Sequence, residues 1–451
     1  MEQEKQTEQT ERVPDLYEQL LELEPKLVTW FTPEKKTAAE QKELFLAGKI
    51  RNPHHIYDKL DAVNFSDNIA RINQVGLALL SNESLNPKHK FAYEDAIDSL
   101  NAKSQLGELA CLYNHADNSL EKSNLAQDFY KLNTEAYGTP EESTYRSLLN
   151  EKLNRINKTK YSDGTIRIRD ELFQMVGYEP NDRKTERFFP SDETVEWTKM
   201  AIEFFYGGML SHIPEKETFS PEDIRSIFSE IITDEFGEVA EGWKVELGDA
   251  GATKVVTQEK RIVIPSDRKE ADFQGVKQLV VHELGVHFFR YIMGANTDAM
   301  PLKSGWGSSY DSEEGLALVM EQAIKGKYGE GGVEPYISIG LTYFDKKDFR
   351  DSYEIKWRLS ALHEAKKTGE ATSDIIDKAK EKAYASVSRC LRGTDELPFF
   401  KDLAYYNGVT NIWKYLEKTR GDDLELTLLF AGKINPSDVK HRRLVLESAT
   451  V

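Results

Sequence analysis

Val281-His282-Glu283-Leu284-Gly285-Val286-His287 is the stretch from which the chain is best read. A glutamate directly after one histidine, with a second histidine on the same helix, is the pattern of a helix-borne zinc site with a carboxylate base. The spacing is one residue longer than the common His-Glu-x-x-His form. Histidines four apart lie about 40° around a regular helix, whereas five apart they lie about 140° around. Two imidazoles can then meet one ion only if the helix is locally widened, as a π-bulge does, or if His287 lies past its end. Gly285, without a side chain, relaxes crowding in such a turn, so an irregular helix is expected between His282 and His287.

In the metal reading His282 and His287 are neutral ligands, and Glu283 takes a proton from the attacking water. In the alternative, two histidines of an apolar helix fall beside a glutamate by chance. A third ligand would come from a following helix, and Asp311-Ser312-Glu313-Glu314-Gly315-Leu316-Ala317 offers Glu314. The same spacing also makes Asp311 and Glu314 a capping box that needs no metal. Spacing leaves both open.

The helix carrying the histidines is expected from about residue 270 to Met293, ended by Gly294. Before it, Trp243, Val245 and Leu247 alternate with polar residues, and 254–256 and 261–264 are β-branched runs, giving two to three short antiparallel strands. An exposed edge of that sheet could receive an extended substrate. Further upstream, Ser220-Pro221-Glu222-Asp223 starts a helix whose Ile224, Ile227, Phe228, Ile231 and Ile232 share one face, with Gly237 closing it. From Val13 to about Lys160, and again from Glu313 onward, apolar residues recur at helical spacing. Thr32-Pro33 suits a helix start and Gly48 its end. Leu44 to Ile50 and Leu429 to Ile434 echo each other as two similar helix ends. His54, His55, His89, His115, His212, His363 and His441 have no ligand spacing among themselves and are assigned to structure or surface.

A formal net charge of -18 argues against a protein built to hold nucleic acid. Two cysteines, Cys111 and Cys390, are too few for a disulfide framework and lack CxxC spacing; both are expected to be buried and apolar. Residues 1–12 read as a disordered tail with no apolar leader, and no run is apolar enough for a membrane span. A cytoplasmic protein is expected.

Taken together, His282 to His287, Arg290 and Gly294, and Glu313-Glu314-Gly315-Leu316-Ala317 resemble the microtubule-associated tyrosine carboxypeptidases and their bacterial relatives. Asn52-Pro53 with Tyr57, Tyr137-Gly138-x-Pro140, Phe219 to Phe228, Arg389-x-x-Arg392-Gly393, and Lys401-Asp402 with Tyr405 and Gly408 extend the likeness over about residues 15 to 440. The resemblance implies an α+β, predominantly α-helical protein. It would have a helical N-terminal region (13–190) and a zincin-like metallopeptidase core with a small antiparallel sheet (191–451). It implies one zinc ion per chain, held by His282, His287 and Glu314, with Glu283 as base, and release of a C-terminal, tyrosine-like residue from a peptide or protein. Arg290, Arg389, Arg392 and Lys401, with Tyr405, are then the candidates to meet a substrate's carboxylate. Met293 and His54-His55 depart from the family pattern and touch the expected specificity. Dipeptidyl peptidases with the same histidine spacing, and a non-catalytic metal-stabilised regulatory module, are the alternatives.

Overall fold

The computed structural model describes residues 12–180, 187–329 and 331–448. The expected tail, Arg12 apart, lies outside them. The described chain is mostly helical, with five short strands between Thr218 and Asp272. Its helices start where local chemistry supplies a cap. Ser220 and Asp223 form the reciprocal capping box that opens Pro221–Ile231, which buries Ile224, Ile227, Phe228 and Ile231 and passes through a π turn, Ile232–Phe236, before Gly237. The helix expected at Thr32-Pro33 begins instead at Lys35. Glu34 is the better cap there, because its carboxylate accepts from the N–H groups of both Lys36 and Thr37.

Strands β1 (Thr218–Phe219) and β5 (Ala271–Asp272) form one antiparallel pair. Strands β2 (Lys244–Gly248), β3 (Lys254–Val256) and β4 (Arg261–Pro265) form a sheet ordered β2-β4-β3. The antiparallel expectation holds for β3 with β4 and is corrected for β2, which runs parallel to β4. The chain reverses twice between them, and β3 occupies the connection that a parallel pair requires. This leaves β3 on an edge.

Beneath the sheet, Ile262 and Ile264 join Ile224, Phe228, Val281, Leu284, Leu316 and Trp413 in the largest apolar cluster. The helices before residue 190 share their cores with later segments. Phe129 and Tyr145 pack with Ile337, Leu359 and Phe400; Tyr17 and Tyr93 with Leu302 and Ile434; and Phe45 with Tyr353 and Tyr384.

Two contacts set the frame of the site. Helices Ser309–Ile324 and Leu403–Thr419 cross backbone to backbone: a Cβ on Gly315 would come within 2.2 Å of the Gly408 carbonyl carbon, and one on Gly408 within 2.0 Å of the Asp311 oxygen. Glycines at this crossing bring the carboxylate helix in close. The two echoing segments are indeed similar helix ends, each of which receives an arginine on main-chain oxygens. Arg350 donates to the carbonyls of Phe45 and Ile50, and Arg290 to those of Gly432 and Ile434.

Candidate metal centre

The expected distortion is present. Regular helix runs over Phe273–Leu279 and Phe289–Ala295, with a π-helical segment, Val280–Phe288, between them. It begins at Phe273, where Asp272 caps it, rather than near residue 270, and it runs past Gly294 to Ala295. Gly294 serves close packing instead of termination, since a Cβ there would lie 2.3 Å from the Leu302 oxygen. Gly285 faces the Tyr206 ring, which a Cβ would meet at 2.9 Å, and the Tyr206 hydroxyl donates to the Gly285 carbonyl at 2.6 Å. A buried phenol thus supplies a donor within the widened turn.

With the turn widened, His282 and His287 converge, their Nε2 atoms 3.2 Å apart. Two nitrogens bound tetrahedrally to one zinc at ordinary bond lengths would stand about 3.3 Å apart. The residues present therefore fit the ion that the motif implies. Each ring is also held from behind. Glu313 accepts a hydrogen bond from His287 Nδ1 at 2.8 Å, and a Glu321 oxygen lies 2.5 Å from His282 Nδ1 as an ion-pair contact outside hydrogen-bond geometry. A carboxylate on the outer nitrogen fixes the ring and turns Nε2 to the metal. Burial opposes charge on His282, but Glu321, Glu283 and Glu314 outweigh it and raise its pKa to about 9. The same negative surroundings favour a cation.

Glu283 belongs to the same close group of donor atoms as the two histidines. Burial raises its pKa, and the two imidazoles act the other way. Glu314 lines the same cavity, and its charge acts on both His282 and Glu283, but it stands outside that close group. The capping alternative at Asp311 fails. The helix already starts at Ser309, its N-cap is Ser308, and no side chain caps it.

The cavity at the histidines measures about 1000 Å³ and is lined by Glu314, Tyr310, Lys401 and Tyr405, among others. Of the candidates for a substrate carboxylate, Lys401 and Tyr405 stand in this wall. Lys401 Nζ bonds the Tyr310 hydroxyl and lies 4.1 Å from the ring centroid; burial lowers its pKa to about 8. The other three stand outside this wall. Arg290 is fully buried, its guanidinium spent on Gly432, Ile434 and Glu313 (2.6 Å). Arg389 grips Asp402 through two hydrogen bonds of 2.6 and 2.8 Å, with Arg392 at 3.4 Å from the same carboxylate, and neither lines the cavity. They fix the residue next to Lys401. Arg290 in turn anchors Glu313: burial raises that carboxyl's pKa, but Lys433, Arg290 and His287 prevail and hold it well below the usual range.

Glu313, Glu321 and Arg268 are among the participants not singled out from sequence. Glu313 and Glu321 work through a helix crossing; Glu321, two turns beyond Glu314 on the same face, was detectable in principle. Arg268 lines the cavity from the segment after β4, and its buried Nε has no hydrogen-bond partner among the described residues. No local pattern marks it.

Helix Ser373–Cys390 carries Arg389, and the segment after it supplies Asp402, next to Lys401, and the Gly432 carbonyl that holds Arg290. The family model for microtubule-associated tyrosine carboxypeptidases matches residues 373–449. This supports, from a separate stretch, the resemblance read at His282 to His287 and at Glu313 to Ala317, which lie outside the matched segment. The family's name denotes a peptidase acting at C-terminal tyrosine. No curated protein and no solved structure matches the chain. Among the described residues no helix is long and apolar enough to cross a membrane.

Proposed function

We propose that this chain is a zinc-dependent carboxypeptidase that releases a C-terminal, tyrosine-like residue from peptides or proteins. The observation that carries the proposal is the pair of Nε2 atoms 3.2 Å apart, each ring braced by a carboxylate, with Glu283 beside them in a large cavity. His282, His287 and Glu314 would hold one zinc ion, which when bound supplies Lewis acidity to a water and a peptide carbonyl. Glu283, its proton affinity raised by burial, takes the water's proton and passes it to the departing amine. Lys401 and Arg268 meet the substrate's terminal carboxylate. Tyr310, Tyr405 and Trp306 supply aromatic surface for its side chain. Lys254 and Val255 of edge strand β3, with Thr253 just before it, border the cavity, where an extended peptide can add as a further strand.

The test is a peptide library with defined C-termini, read by mass spectrometry with zinc-loaded protein. Single C-terminal residues should be released, aromatic ones first. C-terminal amidation should stop cleavage and N-terminal acetylation should not. Glu283→Gln should retain zinc and lose at least about 100-fold in kcat. Cleavage that survives amidation, or an equally active Glu283→Gln, would falsify the reading.

A further inference from the structure

We propose that Cys111, His115 and Asp61 form a second metal site, for zinc or a similar borderline divalent ion, on the face of the N-terminal helices. Cys111 and His115 lie one turn apart on helix Lys90–His115, so both side chains leave the same face. Asp61 ends the short helix Asp58–Asp61 and comes up to that face. Its Oδ1 is 3.6 Å from Cys111 Sγ and 3.1 Å from His115 Nε2, and one donor atom from each residue falls within 4.8 Å of the others. Sulfur, nitrogen and oxygen bound tetrahedrally to one zinc at ordinary bond lengths stand about 3.3 to 3.6 Å apart. Two edges of such a tetrahedron are therefore already close to size.

The ligand chemistry agrees with the geometry. A thiolate with an imidazole selects borderline and soft cations over magnesium or calcium. His115 and Asp61 are exposed, so an ion can enter from solvent and a water can complete its shell. Cys111 is half-buried and turned toward Asp61, which corrects its expected role as a buried apolar residue. Burial, together with Asp61 and Glu108, keeps the proton on Cys111 and raises its pKa to about 11. A divalent ion between thiol and carboxylate reverses that balance: the S–H bond breaks, its proton leaves to solvent, and the thiolate electron pair is donated to the metal. Binding would clip helix Asp58–Asp61 to Lys90–His115 beside Tyr57, whose hydroxyl donates to Asp395.

The site does not rest on the peptidase reading, and cobalt distinguishes the two. Metal-depleted full-length protein is titrated with Co²⁺ and watched for near-ultraviolet thiolate-to-cobalt charge transfer. The proposed catalytic ligands include no thiolate, and Cys390 is buried beside Thr342. The band therefore reports Cys111. It should saturate at one thiolate-bound cobalt per chain, vanish in Cys111→Ser, weaken at least about tenfold in His115→Ala, and persist in His282→Ala. Peptidase activity in Cys111→Ser should equal the parent's. Absence of the band, or its survival in Cys111→Ser with circular dichroism unchanged, overturns the site.

Discussion

Lys401 must carry its charge to hold a carboxylate, yet it is buried against the Tyr310 ring and titrates at about 8. The cationic form predominates at neutral pH and disappears as pH rises through 8. The kcat/KM for peptides with a free C-terminus should therefore fall above about pH 8, and Lys401→Met should be slow at all pH values; an undiminished rate at pH 9 would remove Lys401 from recognition. Arg268→Ala should raise KM by about 10- to 100-fold, since a hydrogen bond to a charged group contributes about 1.5 to 3 kcal/mol, while zinc content stays constant. These two cations differ in legibility. Lys401 sits in a motif and is named by resemblance, whereas Arg268 matters only because its loop lines the cavity beside the histidines. Arg290 shows the converse: a cation near the histidines in sequence need not face the cavity.

At the scale of elements, the site is one widened helix braced by another. Tyr206→Phe removes the donor to Gly285. It should destabilise the fold by about 1 to 3 kcal/mol and loosen zinc in competition with a chelator; unchanged affinity would mean that the bulge holds without it. Glu321→Ala leaves His282 unbraced and should weaken zinc binding by about 10- to 100-fold without touching a proposed ligand. Gly408→Ala should be worse for stability than either, because the methyl group meets main-chain atoms that cannot turn aside. Elements with local causes could be read from sequence: the helix start at Ser220-Pro221, the β-branched runs and the five-residue histidine spacing. The direction of β2, the pairing of Glu313 and Glu321 with the two imidazoles, and the meeting of Asp61 with Cys111 depend on packing. No local pattern encodes them.

For the whole molecule, shared cores make the helices before residue 190 and those after 333 interdependent. Calorimetry should show one cooperative transition; two separated transitions would mean that the halves unfold alone. His441 lies inside this assembly, its ring tilted at 49° against Trp306, and its Nδ1 accepts from the Asn435 N–H. Burial lowers its pKa from 6.5 to about 4, so between those values the unfolded chain binds the extra proton. Its contribution to stability is complete above pH 6.5 and is lost as pH falls toward 4; His441→Gln should flatten denaturant midpoints across that window. The π-helical segment also acts at this scale, as an inserted phase. One extra residue turns everything after it by about 100° relative to everything before. Deleting Leu284 would leave histidines four apart, a spacing that suits a regular helix and still lets two rings share an ion. The same deletion would swing Arg290 away from Glu313, Gly432 and Ile434, and so disconnect the C-terminal segment from the metal centre. On this view the long spacing between the histidines serves the helix that follows them.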